Sequence, residues 1–147
     1  MTWINAPECT PTKYLGFVYR ITELSTGMIY IGQTKMWYIE KKNPTKFVMK
    51  DGKHVKDKLG KRIPCTRTTK KHTRKETAWR DYNSSSNILQ EKIKNNPNNF
   101  KKEILRLCES KMDMNCWETY IQLGYWASGE WHKLYNECIN IRGRILK

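Results

Sequence analysis

Tyr14-Leu-Gly-Phe-Val-Tyr-Arg-Ile-Thr22, Glu23-Leu-Ser-Thr-Gly27 and Met28-Ile-Tyr-Ile-Gly32 follow one another near the start of the 147-residue chain. The first and third runs are rich in β-branched and aromatic residues, which suit the half-buried, pleated surface of a strand. The middle run is short, and its closing glycine takes a positive φ at no steric cost. Two strands joined in this way form an antiparallel β-hairpin, and the rest of the fold is read outward from it.

Downstream, the composition changes abruptly. Residues 41 to 76 hold 14 Lys or Arg against three acids, Asp51, Asp57 and Glu76, so this stretch carries most of the chain's net charge of +14. Within it, Asp51-Gly52 is a dipeptide that closes tight hairpins. The segment from about residue 38 to 76 is expected to be a basic insertion after the second strand, either a solubilising loop or an arm that lines a groove for phosphates.

After the insertion, Ser84-Ser-Ser-Asn-Ile-Leu-Gln-Glu-Lys-Ile-Lys-Asn95 opens with capping residue types and sets Leu89 and Ile93 on one helical face. Asn95-Asn-Pro-Asn-Asn99 stops that helix. Phe100 to Leu107 suits a third strand beside the hairpin, although a helix is also compatible with it. Asp113 is placed to cap a second helix, in which Trp117, Tyr120 and Ile121 share a face and Glu118 lies near its edge. The segment from Trp131 to Arg144 ends strongly basic. The expected fold is therefore α/β: one domain over residues 1–147, with a small three-stranded antiparallel sheet flanked by helices.

The charge favours a polyanionic partner, nucleic acid before all others, with affinity that falls steeply as salt rises. No stretch approaches the roughly 18 apolar residues of a membrane helix, and the opening residues lack a signal-like pattern, so a soluble, cytoplasmic protein is expected. Five cysteines form no Cys-x-x-Cys pair, which points to reduced thiols. Cys65, His54 and His72 lack the usual spacing of zinc ligands.

Gly16-Phe-Val-Tyr19 and Tyr30-Ile-Gly32, with the two tyrosines eleven positions apart, resemble the paired motif of the GIY-YIG nucleases, a family that includes homing and phage endonucleases. Ser84-Ser85-Ser86, the helix with Leu89 and Ile93, Phe100 and Ile104-Leu105 resemble the middle block of homing-type members. Glu118 followed by Tyr135-Asn136 resembles the closing block. The resemblance spans residues 14 to 136, interrupted by the basic stretch, and implies metal-dependent hydrolysis of DNA phosphodiesters by a phage-like or mobile-element endonuclease, in the host cytoplasm if phage-encoded.

Carried over residue by residue, the resemblance makes Glu118 the carboxylate for one divalent cation, Mg²⁺ or another such as Mn²⁺. It makes Tyr19 the general base and Tyr30 the group that orients water or phosphate. Gly32 allows close backbone approach, and Asn136 anchors the closing segment or touches substrate. The chain departs from the family in one respect: no arginine follows Gly32 until Arg62. Arg80, whose planar guanidinium binds phosphate oxygens in pairs, is the favoured substitute, with Lys35 the alternative. Duplex DNA is expected to lie along Lys35, Lys41, Lys42, Lys53, Lys61, Arg62, Arg67, Lys70, Lys71 and Arg74, together with the basic tail. The rival expectation is a non-catalytic DNA-binding or inhibitory protein that kept the fold.

Overall fold

The computed structural model describes residues 2–42, 49–63 and 71–137. In chain order the strands and helices are β1 (Trp3–Ile4), β2 (Gly16–Glu23), β3 (Ile29–Lys35), β4 (Trp37–Lys42), β5 (Met49–Lys50), β6 (Lys53–His54), β7 (Lys71–Glu76), α1 (Asn87–Asn95), β8 (Phe100–Cys108) and α2 (Lys111–Ala127). Internal contacts divide the chain into two units: the described residues up to Trp37 and from Glu76 onward, and Tyr38–Lys75. No helix among the described residues is long and apolar enough to cross a membrane.

In the larger unit, β2 and β3 form the expected antiparallel hairpin, with Tyr19 opposite Gly32 and Ile21 opposite Tyr30. Gly27 turns the chain at φ 72°, and the amide of Glu23 donates to the Met28 carbonyl at 2.9 Å. The stretch from Phe100 is a strand, β8, paired antiparallel to the other edge of β2 with an irregularity between Val18 and Tyr19. Ahead of that irregularity its alternation buries Phe100, Lys102 and Ile104, a period-2 pattern that a helix would scatter around its circumference.

The expectation of a three-stranded, wholly antiparallel sheet is corrected by β1, which adds parallel to β8 and gives the order β1-β8-β2-β3. Two residues carry no periodic signal, so β1 is held by tertiary contacts instead. The Trp3 indole N–H donates to the Trp79 carbonyl at 3.1 Å, and its ring meets Phe17 and Tyr19 edge-on, each with centroids 5.2 Å apart.

The helices serve opposite faces of the sheet. On one face Trp3, Phe17, Tyr19, Ile21 and Ile104 form a core with Trp79 and with Leu89 and Ile93 of α1, whose N-cap is Ser86. On the other, Val18, Ile31 and Cys108 meet Met114 of α2, with Trp117 and Ile121 packed alongside. Ser110, rather than Asp113, caps α2: its hydroxyl accepts from the Asp113 amide at 3.1 Å. The Asp113 carboxylate reaches back past the cap to the Glu109 amide at 3.2 Å. Tyr120 does not share the buried face of Trp117 and Ile121 and is 69% exposed.

In the smaller unit, β4 and β7 form a two-stranded sheet, with Lys75 and Glu40 in an ion pair at 2.9 Å. Asp51 and Gly52 take positive φ values of 51° and 75° and close the β5–β6 hairpin, as the dipeptide suggests. Asp57 organises the following turn, its Oδ1 accepting from the amides of Leu59 and Lys61.

Candidate active site

Strand β3 is the outer strand of the four-stranded sheet, and an open edge presents unpaired backbone groups. The closing segment covers part of it. The Tyr135 amide donates to the Ile29 carbonyl at 2.7 Å. Asn136 takes both backbone groups of Ile31: its Oδ1 accepts from the amide at 2.9 Å and its Nδ2 donates to the carbonyl at 2.8 Å. Beside this closure lies a cavity of about 330 Å³ whose walls include Tyr30, Ser85, Glu118, Gln122 and Asn136.

Strand alternation determines which side chains reach the cavity. Tyr30 and Gly32 share the face of Tyr19, whereas Ile31 and Gln33 face α2. Tyr30 therefore approaches from one side of the sheet edge, and Glu118, carried by α2, from the other. The Tyr30 hydroxyl shares a hydrogen bond with the Ser85 hydroxyl at 2.8 Å.

Gln33 joins the edge strand to α2 through three hydrogen bonds. Its Nε2 donates to Glu118 Oε2 at 2.5 Å and to Asn115 Oδ1 at 2.9 Å, and its Oε1 accepts from Lys111 Nζ at 2.9 Å. Lys111, Asn115 and Glu118 stand at i, i+4 and i+7, one face of the helix. Burial pushes the Glu118 carboxyl above its ordinary pKa, a shift only partly offset by the Gln33 hydrogen bond and the Lys111 charge. Burial in turn lowers the Lys111 amine, while Glu118 pulls it up and Lys35 adds to the lowering.

Tyr19 is fully buried. Its ring lies 6.2 Å from that of Tyr30 and edge-on to Tyr82 at 6.0 Å, and its hydroxyl makes no hydrogen bond of good geometry among the described residues. Burial, reinforced by the neighbouring phenols Tyr82 and Tyr30, raises its pKa far above that of a free phenol. Gly32 accommodates it: a Cβ there would stand 2.5 Å from Tyr19 Oη.

The two candidate substitutes for the family arginine lie in different places. Arg80 stacks on the Trp79 ring at 4.3 Å and donates to the Glu8 carbonyl at 3.1 Å, and it does not line the Glu118 cavity. Lys35 lines a neighbouring cavity with Gln33 and Lys111. Among the other cations expected to meet DNA, Lys53, Lys61, Arg62 and Arg74 are exposed. Lys41 and Lys42 lie in β4 and Lys71 in β7, whereas Arg67 and Lys70 lie outside the described residues.

Sequence reasoning did not single out Gln33, Lys111, Asn115 or Gln122. The helical spacing of Lys111, Asn115, Glu118 and Gln122 was available to it, but the polar partner on β3 becomes apparent only once the strand edge and the helix are placed together. A family model described as "Putative endonuclease segE, GIY-YIG domain" matches residues 3–139. The chain belongs to this GIY-YIG family. No curated protein and no solved structure matches it. The GIY-YIG match takes in β1 and the whole stretch from the hairpin to Asn136, including both tyrosines and Glu118.

Proposed function

We propose that this GIY-YIG protein is a metal-dependent endonuclease that hydrolyses DNA phosphodiester bonds in the cleft beside β3. The observation that carries the reading is the convergence of Tyr30 and Glu118 on one cavity, with a lysine tied to Glu118 through Gln33. Glu118 would hold the divalent cation. Among the described residues the cavity wall offers carboxylate, hydroxyl and carboxamide oxygens and neither Cys nor His, a donor set suited to hard Mg²⁺ or Mn²⁺. Among the described residues no three His, Cys, Asp or Glu come together, so the ion would keep most of its waters, as Mg²⁺ commonly does. When bound, it supplies Lewis-acid polarisation of the phosphate and a more acidic water.

The protein's own groups then divide the remaining work. Tyr30, whose hydroxyl reaches the cavity, orients the attacking water or the phosphate and is better situated than Tyr19 to exchange a proton with it. Tyr19 supports Tyr30 and Gly32 from the core, because its buried phenol strongly disfavours ionisation. Lys35 and Lys111 neutralise the phosphate, a role for which Arg80, turned towards the Glu8 carbonyl, is less suited. Asn136 keeps the edge of β3 in register. The cations of residues 41 to 76 contact duplex DNA through its phosphates, which give affinity without reading sequence.

Supercoiled plasmid incubated with the protein and Mg²⁺ should be nicked or linearised, with EDTA or Glu118→Ala abolishing the product while DNA binding persists. Tight binding without cutting on varied DNA would instead support the non-catalytic reading, which the lack of an arginine among the described residues of the cavity wall favours.

A further inference from the structure

We propose that Gln122 supplies a second protein oxygen to the divalent cation held by Glu118, an inference that rests on the metal-dependent reading above. Gln122 follows Glu118 by four residues on α2, so the two side chains lie one above the other on the same helix face, and both line the cavity beside β3. It is a glutamine only 2% exposed, in a position where an apolar residue would pack without needing any partner.

The orientation of its amide is determined by Ile31. Nε2 donates to the Ile31 carbonyl at 3.4 Å, an oxygen that also accepts from Asn136 Nδ2. Rotating the amide by half a turn would set two carbonyl-type oxygens against each other. Oε1 is therefore directed away from Ile31, and it is buried without a hydrogen-bond partner among the described residues. Buried acceptors in folded proteins are almost always satisfied, and an orphan calls for a missing ion or water. Beside a carboxylate, a carboxamide oxygen is a hard, neutral donor of the kind that Mg²⁺ and Mn²⁺ accept. Its neutrality adds no negative charge to the carboxylates of Glu118 and Glu137 on the same wall, so the cation keeps more of its positive charge for the phosphate.

The test is a titration of the full chain with Mn²⁺ alone, without DNA, following free Mn²⁺ by electron paramagnetic resonance. Gln122→Met, apolar and of similar shape, should weaken Mn²⁺ binding about tenfold or more, and Gln122→Leu should do the same. Wild-type affinity in Gln122→Met, with binding lost in Glu118→Ala, would overturn this inference alone and assign Oε1 to a buried water. Binding that is absent in the wild type or unaffected by Glu118→Ala would remove the metal site itself, and the inference with it. If Gln122→Met fails to fold, Gln122→Leu decides, since wild-type affinity there also overturns the proposal.

Discussion

Gly32→Ala adds a single methyl group to a strand whose φ at this position is unexceptional, so its effect comes from space rather than backbone strain. The new Cβ would stand 2.5 Å from Tyr19 Oη, 2.6 Å from Tyr19 Cζ and 2.8 Å from Tyr30 Cε1. Tyr19 has nowhere to retreat: it is fully buried, with Trp3, Phe17 and Tyr82 against its ring. Overfilling a packed site costs about 1–3 kcal/mol, and involvement of two rings argues for the upper end. Removing a glycine from a strand returns roughly 0.5–1 kcal/mol of chain entropy. The net loss should be about 2 kcal/mol, a fall in Tm of roughly 4–8 °C for a chain of this size. Urea unfolding followed by the fluorescence of the six tryptophans measures it, with an unchanged m value confirming the same two states. Adding Tyr19→Phe removes the closest contact and should recover about 1 kcal/mol in a double-mutant cycle. A Gly32→Ala protein within about 0.5 kcal/mol of wild type would refute the reasoning.

Tyr30→Phe should lower kcat for plasmid nicking about 10²–10⁴-fold, whereas Tyr19→Phe should lower it less than about tenfold; the reverse order would return the proton-transfer role to Tyr19. Lys111→Ala should reduce cleavage far more than Arg80→Ala, with Lys111→Arg restoring part of it, and equal rates for Lys111→Ala and wild type would remove Lys111 from the site. Trp79→Ala removes a side chain buried to 1% exposure, together with indole hydrogen bonds to Thr10 and Glu76, and should cost about 3–5 kcal/mol in urea unfolding. Hydrogen bonds from Thr26 and Tyr135, with the Lys92 charge, hold the Glu23 carboxyl below its ordinary pKa. Its contribution is therefore present above the unfolded-state pKa and is lost as pH falls through the depressed folded value. Comparing wild type with Glu23→Gln from neutral to acid pH should show the stability gap closing in that window.

The hairpin was legible because each of its strands satisfies a local rule: β-branched and aromatic composition in β2 and β3, and a glycine at the turn. The same is true of α1, where Ser86 and the Leu89–Ile93 spacing carry the signal, and of Asp51-Gly52. Strand β1 and Trp79 were not legible, since neither belongs to a periodic segment and each is fixed by the other, Trp3 donating to the Trp79 carbonyl. Their positions depend on partners 76 residues apart, which no local pattern encodes. At the site, the motif picked out Tyr30 and Glu118, which line one cavity, but it could not distinguish the environments of the two tyrosines. Alternation puts Tyr19 and Tyr30 on the same face of the sheet, yet Tyr19 lies on a central strand and Tyr30 on an edge, and strand order is a tertiary fact.

That difference in strand position also bears on how the site is built. α2 meets the sheet through Met114, with Trp117 and Ile121 alongside, but towards the edge of β3 its contacts become polar: Gln33 with Lys111, Asn115 and Glu118, then Gln122 and Asn136 with the Ile31 carbonyl. Directional bonds of this kind constrain position more tightly than apolar contact does, which matters where a carboxylate must face a cavity. Gln33, Gln122 and Asn136 are carboxamides, so they give this order without adding a charge to compete with Glu118. Burial makes the ionised form of Glu118 costly, and the cation proposed above would relieve that cost, so that its binding would be coupled to the stability of the same edge.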